Sequence, residues 1–175
     1  MITSSDELEP GTPAPDFSLR DASGTARTLS EVRGTPAIVY FYPAAFTPGC
    51  TTEACDFRDN LAAFESAGYR VLGISPDPVE QLAEFAAAQA LPYTLLSDPD
   101  ADVARAFGAW GQKTVGDRTF DGLIRSTVVV DADGVVRHVE YNVDPNGHVA
   151  RLRELLGAGA STGASVDGTE AGNAA

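Results

Sequence analysis

Basic side chains are scarce in this sequence. Its 175 residues include 12 Lys and Arg against 25 Asp and Glu, which gives a formal net charge of −13. Binding to nucleic-acid phosphates needs a surface rich in Lys and Arg, and so does binding to an anionic membrane. The charge balance therefore predicts a protein that binds neither nucleic acid nor membranes.

Cysteine is scarce as well, because the chain contains only Cys50 and Cys55. Two cysteines cannot build the disulfide framework of a small secreted protein. No apolar run approaches the roughly 20 residues that a membrane-spanning helix needs. The amino end also lacks the basic and apolar regions of a signal peptide. We therefore expect an acidic, cytoplasmic protein.

The length and composition indicate one globular domain with polar ends. Hydrophobic residues make up 43% of the chain and charged residues 21%, which is ordinary for a globular protein. Residues 1–12 are polar, and we expect them to form a flexible N-terminus. Residues 158–175 are rich in Gly, Ala and Ser and have too few large apolar side chains to offset the entropy of ordering. The domain is therefore predicted to span residues 13–157, followed by a disordered tail.

Strand and helix patterns alternate along this domain. Three continuous apolar runs predict strands that are buried on both faces, and they cover residues 36–42, 69–75 and 93–96. A helical pattern follows each run, with Thr47, Asp77 and Asp98 as the expected N-cap residues. A hairpin over residues 123–141 and a closing helix complete the order. This order predicts an α/β fold with a central mixed β-sheet and helices on both faces.

Cys50 stands directly after the first apolar run, in the first turn of the helix that follows. Active sites of open α/β sheets lie at the carboxyl ends of strands. A helix amino end presents free N–H groups and the positive end of the helix dipole. Both features favour the thiolate, which is the nucleophilic form of cysteine. A buried structural cysteine is the alternative, and the strand–Thr–Pro–Gly–Cys–helix context favours a reactive cysteine over it.

Cys55 lies five residues further along the same predicted helix. That spacing corresponds to a rise of about 7.5 Å and a rotation of about 140°, which places the two Cα atoms about 8.7 Å apart. Disulfides need Cα atoms within about 7 Å, so the two cysteines cannot bond while the helix is intact. Either they never pair, or the helix unwinds locally. The spacing also differs from the C-x-x-C motif of thioredoxins.

Histidine could supply further metal ligands, but it is present only as His138 and His148. Neither residue stands at the spacing from the cysteines that zinc sites require. The sequence therefore predicts neither a metal nor a cofactor.

The segment around Cys50 resembles the active-site motif of peroxiredoxins, Pro43-x-x-x-Thr47-x-x-Cys50. The longer string from Phe41 to Arg58 resembles the bacterioferritin comigratory protein subfamily of peroxiredoxins, also called PrxQ, and the similarity continues over roughly residues 11–156. The resemblance implies a thioredoxin-like fold and a thiol-dependent peroxidase. Such an enzyme reduces hydrogen peroxide and organic hydroperoxides in antioxidant defence and is recycled by thioredoxin or a similar dithiol reductant.

The resemblance also implies catalytic roles for four residues. Cys50 matches the peroxidatic cysteine, which peroxide oxidises to a sulfenic acid. Cys55 matches the resolving cysteine of the subfamily, which forms an intramolecular disulfide with it, as in atypical two-cysteine peroxiredoxins. Thr47 matches a threonine that binds peroxide and thiolate, and Arg125 matches an arginine that stabilises the thiolate and polarises peroxide. An N-cap and a solvated surface side chain are the respective alternatives for Thr47 and Arg125.

Two further residues have supporting matches. Pro43 matches a proline that shields the thiolate, with a simple strand terminator as its alternative. Glu53 matches a glutamate that orients the active-site arginine, with an acid on the helix surface as its alternative. The sequence departs from many relatives at Ala44, where they carry Lys, so one local positive charge is missing.

Other functions for the same fold stay open at this point. A disulfide reductase is disfavoured because C-x-x-C is absent and because Ser126 and Thr127 follow Arg125 where thioredoxins carry a cis-proline. A redox sensor or chaperone-like binding protein without significant turnover is the remaining alternative. Subfamily members are commonly monomeric and some are dimers, so we expect a monomer or a weak homodimer.

Overall fold

The computed structural model describes residues 7–157, which contain nine strands and four α-helices. The strands are β1 (Ser18–Asp21), β2 (Ala26–Thr28), β3 (Ala37–Phe41), β4 (Arg70–Ser75), β5 (Thr94–Ser97), β6 (Trp110–Val115), β7 (Arg118–Leu123), β8 (Ser126–Val130) and β9 (Val136–Tyr141). The helices are α1 (Pro48–Ser66), α2 (Val79–Gln89), α3 (Asp102–Ala106) and α4 (His148–Leu155), and a short 3₁₀ helix (Ser30–Val32) follows β2. The predicted disordered tail, residues 158–175, lies outside the described residues, as do residues 1–6.

Seven strands form one sheet in the order β2-β1-β5-β4-β3-β8-β9. Its centre is parallel, because β3 pairs in parallel with β4, and β4 with β5. The strands on either side, β1 and β8, join this centre in antiparallel orientation. The predicted central mixed sheet is therefore confirmed.

Side chains of β3 point alternately into two hydrophobic clusters, one on each face of the sheet. Ile38 and Tyr40 belong to the cluster that also receives the buried side chains of α1, α2 and α4. Val39 and Phe41 belong to the opposite cluster, which contains α3 and the chain before β1. Because successive strand residues face opposite sides, a continuous apolar run is what a strand covered on both faces needs. Helices therefore lie on both faces, as the sequence predicts.

The two strands β6 and β7 form a separate hairpin that the sequence pattern did not predict. Most of their residues are exposed or only half-buried, so the hairpin lacks the apolar alternation that indicates a strand. Helix α3 ends at Ala106 and Trp110 begins β6, because Gly108 with φ of 77° turns the chain between them.

The expected cap at Asp77 is wrong. Helix α2 begins at Val79 with Pro78 as its N-cap residue. The Asp77 carboxylate accepts hydrogen bonds from the Ala45 N–H (2.7 Å) and the Ser75 hydroxyl (2.8 Å) instead. Its side chain therefore ties the loop after β3 to the end of β4.

Part of the N-terminal segment expected to be flexible contacts the last strand. The Gly11 N–H donates a hydrogen bond to the Val136 carbonyl, and the Val136 N–H donates to the Thr12 carbonyl. The Leu8 N–H donates to the Tyr141 hydroxyl. Within residues 7–157, no helix has both the length and the apolar character that crossing a membrane requires.

Candidate active site

Cys50 lies where the central strand β3 passes into helix α1. Thr47 is the N-cap residue and Pro48 the first helical residue, where a missing N–H costs nothing. The first helical hydrogen bond runs from the Thr51 N–H to the Thr47 carbonyl, so the Cys50 N–H precedes it. Cys50 is a free thiol, and only 1% of its surface is exposed. The thiol therefore sits at the amino end of a 19-residue helix, where free N–H groups favour negative charge.

Arg125 brings a positive charge to this thiol. It precedes β8, and β8 pairs with β3 so that Ser126 lies opposite Phe41, next to the loop that leads to Cys50. The Arg125 Nη2 donates a hydrogen bond of 3.3 Å to the Cys50 Sγ. Its Nη1 donates a hydrogen bond of 2.7 Å to the Glu53 Oε1. One guanidinium thus bridges the cysteine and the glutamate.

Glu53 is a fully buried carboxylate whose single hydrogen-bonding partner among residues 7–157 is Arg125. Its side chain is 0% exposed, against 13% for the side chain of Arg125. Burial raises the pKa of Glu53 to about 7, although the charge of Arg125 opposes the shift. Burial acts to lower the pKa of Arg125, but the negative charges of Glu53 and Cys50 outweigh it and the pKa lies above its ordinary value. The guanidinium therefore stays charged while Glu53 is the group that titrates near neutral pH.

The absence of a side chain at Gly49 makes room for the Arg125 guanidinium. A Cβ atom at this position would lie 3.3 Å from the Arg125 Nη2 and 3.2 Å from the Pro145 Cγ. Both distances are shorter than ordinary van der Waals contacts, so any side chain here pushes on Arg125. The glycine in the Thr-Pro-Gly-Cys segment therefore permits the close approach of Arg125 to Cys50.

Thr47 uses its hydroxyl differently from an N-cap. The Oγ1 donates a hydrogen bond of 2.8 Å to the Ala44 carbonyl and makes no capping hydrogen bond to the helix. A hydroxyl that donates its only proton keeps its lone pairs free to accept a hydrogen bond. The same loop is held from the other side by Asp77, a residue that sequence reasoning assigned to α2 alone.

Cys55 lies in the same unbroken helix and is turned toward α2. Its Sγ donates a hydrogen bond of 3.3 Å to the Gln89 Oε1, and it is a free thiol like Cys50. Between the two cysteines, the Tyr93 hydroxyl donates a hydrogen bond of 2.8 Å to the Ala54 carbonyl. The structure therefore brings Cys50, Glu53 and Arg125 together and leaves Cys55 apart from them.

A groove of about 520 Å³ opens beside Arg125. Pro43, Ile124 and Val143 supply apolar parts of its wall, and Lys113 of the β6–β7 hairpin lies along it. The groove leads from solvent to the guanidinium that contacts the thiol. Pro43 therefore lines the groove next to Arg125.

The sheet and the buried thiol with its guanidinium partner define a thiol peroxidase with a thioredoxin-like fold. Residues 10–139 match the AhpC/TSA family. The chain belongs to this family and is a peroxiredoxin, a thiol-dependent peroxidase. Its two cysteines fit the atypical two-cysteine class.

Known relatives support this assignment over most of the chain. The sequence is 55% identical to Rv2521 of Mycobacterium tuberculosis over 155 residues, which cover 89% of this chain and 99% of that protein; its name places Rv2521 among the peroxiredoxins. It is 45% identical to peroxiredoxin Bcp of Escherichia coli K12 over 141 residues, which cover 81% of this chain and 90% of that protein.

Solved structures agree in fold as well as in sequence. A bacterioferritin comigratory protein of Xanthomonas campestris, described for its alkyl peroxide reduction activity, superposes with a TM-score of 0.79 at 33% identity and covers 87% of this chain and 99% of its own. BcpB of Mycobacterium tuberculosis superposes with a TM-score of 0.76 at 36% identity, over 86% and 97% of the two chains. The predicted subfamily and the thioredoxin-like fold are both confirmed.

Proposed function

We propose that Cys50 is the peroxidatic cysteine of this enzyme, and the observation that supports it most is the contact of its Sγ with the Arg125 guanidinium. The Cys50 thiolate attacks one oxygen of the peroxide, and the O–O bond breaks. Cys50 becomes a sulfenic acid, while the second oxygen leaves with the electron pair of that bond and takes a proton to form water or an alcohol. Fixed donors are needed where this negative charge develops.

Two donors at the site can meet that need, and Thr47 can orient the peroxide. Arg125 supplies a charged donor at the sulfur, and the Cys50 N–H lies ahead of the first helical hydrogen bond. Thr47 has already donated its proton to Ala44, so its hydroxyl would accept the hydrogen bond of the peroxide O–H. Glu53 acts as a positioning residue because it holds the guanidinium from the other side, and Pro43 keeps solvent from the thiol.

Cys55 is proposed as the resolving cysteine. Its thiolate attacks the sulfur of the Cys50 sulfenic acid, a disulfide forms, and the oxygen leaves as water. The two positions are too far apart in an intact helix for this bond, so the first turns of α1 must unwind in every cycle. A dithiol reductant such as thioredoxin then transfers two electrons and two protons, which restores both thiols and oxidises the reductant.

The substrates and the cellular compartment of the enzyme can be proposed from that cycle. Hydrogen peroxide and alkyl hydroperoxides are the substrates, in line with the alkyl peroxide reduction described for the Xanthomonas relative. Two free thiols that a dithiol reductant regenerates fit a reducing compartment, so we place the enzyme in the cytoplasm. We propose a monomer or a weak homodimer, which sedimentation over a range of protein concentrations tests.

The decisive experiment mixes reduced full-length protein with equimolar hydrogen peroxide and maps the cysteines by mass spectrometry. We expect a Cys50–Cys55 disulfide that thioredoxin reduces again. In Cys55→Ser, oxidation should stop at a Cys50 sulfenic acid that dimedone traps, and Cys50→Ser should not react. A sulfenic acid that persists in the wild-type protein would remove the resolving role of Cys55. An unreactive Cys50 would overturn the peroxidatic role and favour the chaperone-like alternative, for which client binding without peroxide turnover is the readout.

A further inference from the structure

Lys113 is the only lysine of this chain. It lies half-buried on β6 and lines the groove that leads to Arg125. The protein carries 25 acidic residues, yet within residues 7–157 none comes close enough to Lys113 to form an ion pair. The acidic residue that shares the groove is Glu7, and its side chain is exposed. Lys113 is therefore a cation without an ion-pair partner among residues 7–157, in the groove beside the Arg125 guanidinium.

The hairpin holds this lysine in place. Lys113 pairs with Phe120 across the two strands, and Gly111 pairs with Gly122. A Cβ atom on Gly122 would lie 3.2 Å from the Lys113 Cδ and 3.3 Å from the Phe120 ring. The aliphatic stem of Lys113 thus lies over the glycine beside an aromatic ring. Lysine stems pack on apolar surface in this way while their ammonium group stays in water.

Two cations line the groove, because Arg125 contributes to its wall as well as Lys113. Burial and the positive charge of Arg125 hold the pKa of Lys113 below its ordinary value, although the charge of Cys50 acts in the opposite direction. Arg125 donates to Glu53 through Nη1 and to Cys50 through Nη2, so part of its guanidinium is engaged by these two residues. No side chain in the described part of the chain engages Lys113 in this way, so its positive charge is available to a ligand in the groove.

The wall near these two cations combines apolar and polar side chains. Ile124 and Val143 line the groove with Pro43, next to Arg125, whose guanidinium contacts the thiol. A hydroperoxide that approaches Cys50 through this groove would place its organic part along these side chains. An anionic group on that organic part would meet the Lys113 ammonium, whereas elsewhere a net charge of −13 disfavours the approach of anions.

We propose that Lys113 is a specificity-determining residue that binds a carboxylate on the organic part of a hydroperoxide substrate. The class of substrate is a hydroperoxide of an organic acid, with its hydrocarbon against the apolar side chains of the wall and its O–O group at Cys50. The chemical step is unchanged: the thiolate takes one oxygen and the hydroxy acid leaves. The inference rests on the proposed peroxidatic role of Cys50.

The test compares three peroxides on the full-length protein at fixed ionic strength. They are hydrogen peroxide, cumene hydroperoxide and cumene hydroperoxide with a carboxylate on the ring, and the readout is the second-order rate of Cys50 oxidation by rapid quench and mass spectrometry. Lys113→Gln removes the charge and Lys113→Arg retains it. Arg118→Gln is the matched control, because Arg118 is an exposed cation of the same hairpin that does not line the groove.

We expect Lys113→Gln to react about tenfold more slowly with the carboxylated peroxide, as loss of one hydrogen bond between charged groups implies. Its rates with the two neutral peroxides should stay within about twofold of wild type, Lys113→Arg should retain most of the rate, and Arg118→Gln should change none of the three. An equal loss with all three peroxides, or no selective loss, would overturn the specificity role. The hydrogen peroxide reaction of the wild-type protein reports separately on the proposed function: if Cys50 is inert there, that function fails and the inference fails with it.

Discussion

The Nη1 of Arg125 lies 2.7 Å from the Oε1 of Glu53, although 72 residues separate them in the chain. The same guanidinium reaches the Cys50 Sγ at 3.3 Å. A planar guanidinium can serve two acceptors at once, whereas an ammonium is a single point of charge. The position of the charge next to the thiol is thus set jointly by a residue ahead of β8 and a residue of α1.

Replacement of Arg125 should therefore slow the reaction with peroxide. We expect Arg125→Gln to lower the second-order rate with hydrogen peroxide by about 10²-fold, the loss that removal of one donor to developing negative charge typically causes. Arg125→Lys should recover only part of the rate, because lysine cannot contact both Cys50 and Glu53. Stopped-flow peroxide consumption measures the rates. A lysine variant with the full wild-type rate would show that charge alone suffices.

A side chain at Gly49 should act on the same guanidinium. We expect Gly49→Ala to lower the peroxide rate by about tenfold, because the new Cβ would lie 3.3 Å from the Arg125 Nη2 and displace it. Alanine is favoured over glycine in a helix by about 1 kcal/mol, so the free energy of unfolding should not fall in parallel. Urea unfolding and rate measurements on the same sample separate the two effects. A variant that keeps the full rate would mean that Arg125 has room to move.

Glu53 should make the stability of the fold depend on pH. Its ordinary pKa of 4.5 is raised to about 7 in the folded protein, mainly by burial. The folded state then binds the proton more tightly than the unfolded state. The stabilisation that comes from protonated Glu53 is therefore complete below about pH 4.5, and it is lost as the pH rises through 7.

Glu53→Gln removes this titration. The free energy of unfolding of wild type minus that of the variant should be larger at pH 5 than at pH 8, which urea unfolding at both pH values measures. Asp59→Asn on the exposed face of α1 is the control, since its side chain is 61% exposed. A difference that stays constant with pH would contradict the raised pKa of Glu53.

Tyr93 should control how easily α1 unwinds between the cysteines. Its hydroxyl donates to the Ala54 carbonyl and also contacts the Tyr40 hydroxyl at 2.8 Å. Loss of one such hydrogen bond costs about 1 kcal/mol, which corresponds to a factor of about five. In Tyr93→Phe we therefore expect the rate of disulfide formation, relative to the rate of further oxidation of Cys50 to sulfinic acid, to rise by about that factor.

The ratio of disulfide to sulfinic acid at rising peroxide concentration measures this partition by mass spectrometry. Tyr69→Phe is a matched control, because Tyr69 also packs against the same hydrophobic cluster. The ratio should not change in that variant. An unchanged ratio in Tyr93→Phe would mean that this hydrogen bond does not restrain the helix.

The centre of the fold could be predicted from the sequence because its signals are local. The runs that became β3, β4 and β5 are continuous and apolar, and Pro48 after Thr47 marks the beginning of α1. The β6–β7 hairpin gave no such signal, since its strands lie largely in solvent. The cap at Asp77 failed for another reason: a carboxylate after a strand has several N–H and O–H partners in reach, and only the folded chain brings Ala45 to it.

The residues of the candidate site also differ in how well the sequence predicts them. The reactive setting of Cys50 could be argued from the strand, the helix start and the residues between them. No spacing rule connects Arg125 or Glu53 to Cys50, so their roles depended on the resemblance to peroxiredoxins. No sequence signal marks Lys113, because only the folded hairpin places this lysine of an exposed polar segment along the groove.

The β6–β7 hairpin pairs only with itself among the strands of residues 7–157. Mutations in it therefore leave the hydrogen-bond ladder of the seven-stranded sheet untouched. Evolution can lengthen, shorten or recharge this hairpin while the thiol and its guanidinium stay fixed. Under the proposed role of Lys113, a change in this hairpin alters the preference among peroxides without changing the strands of the central sheet.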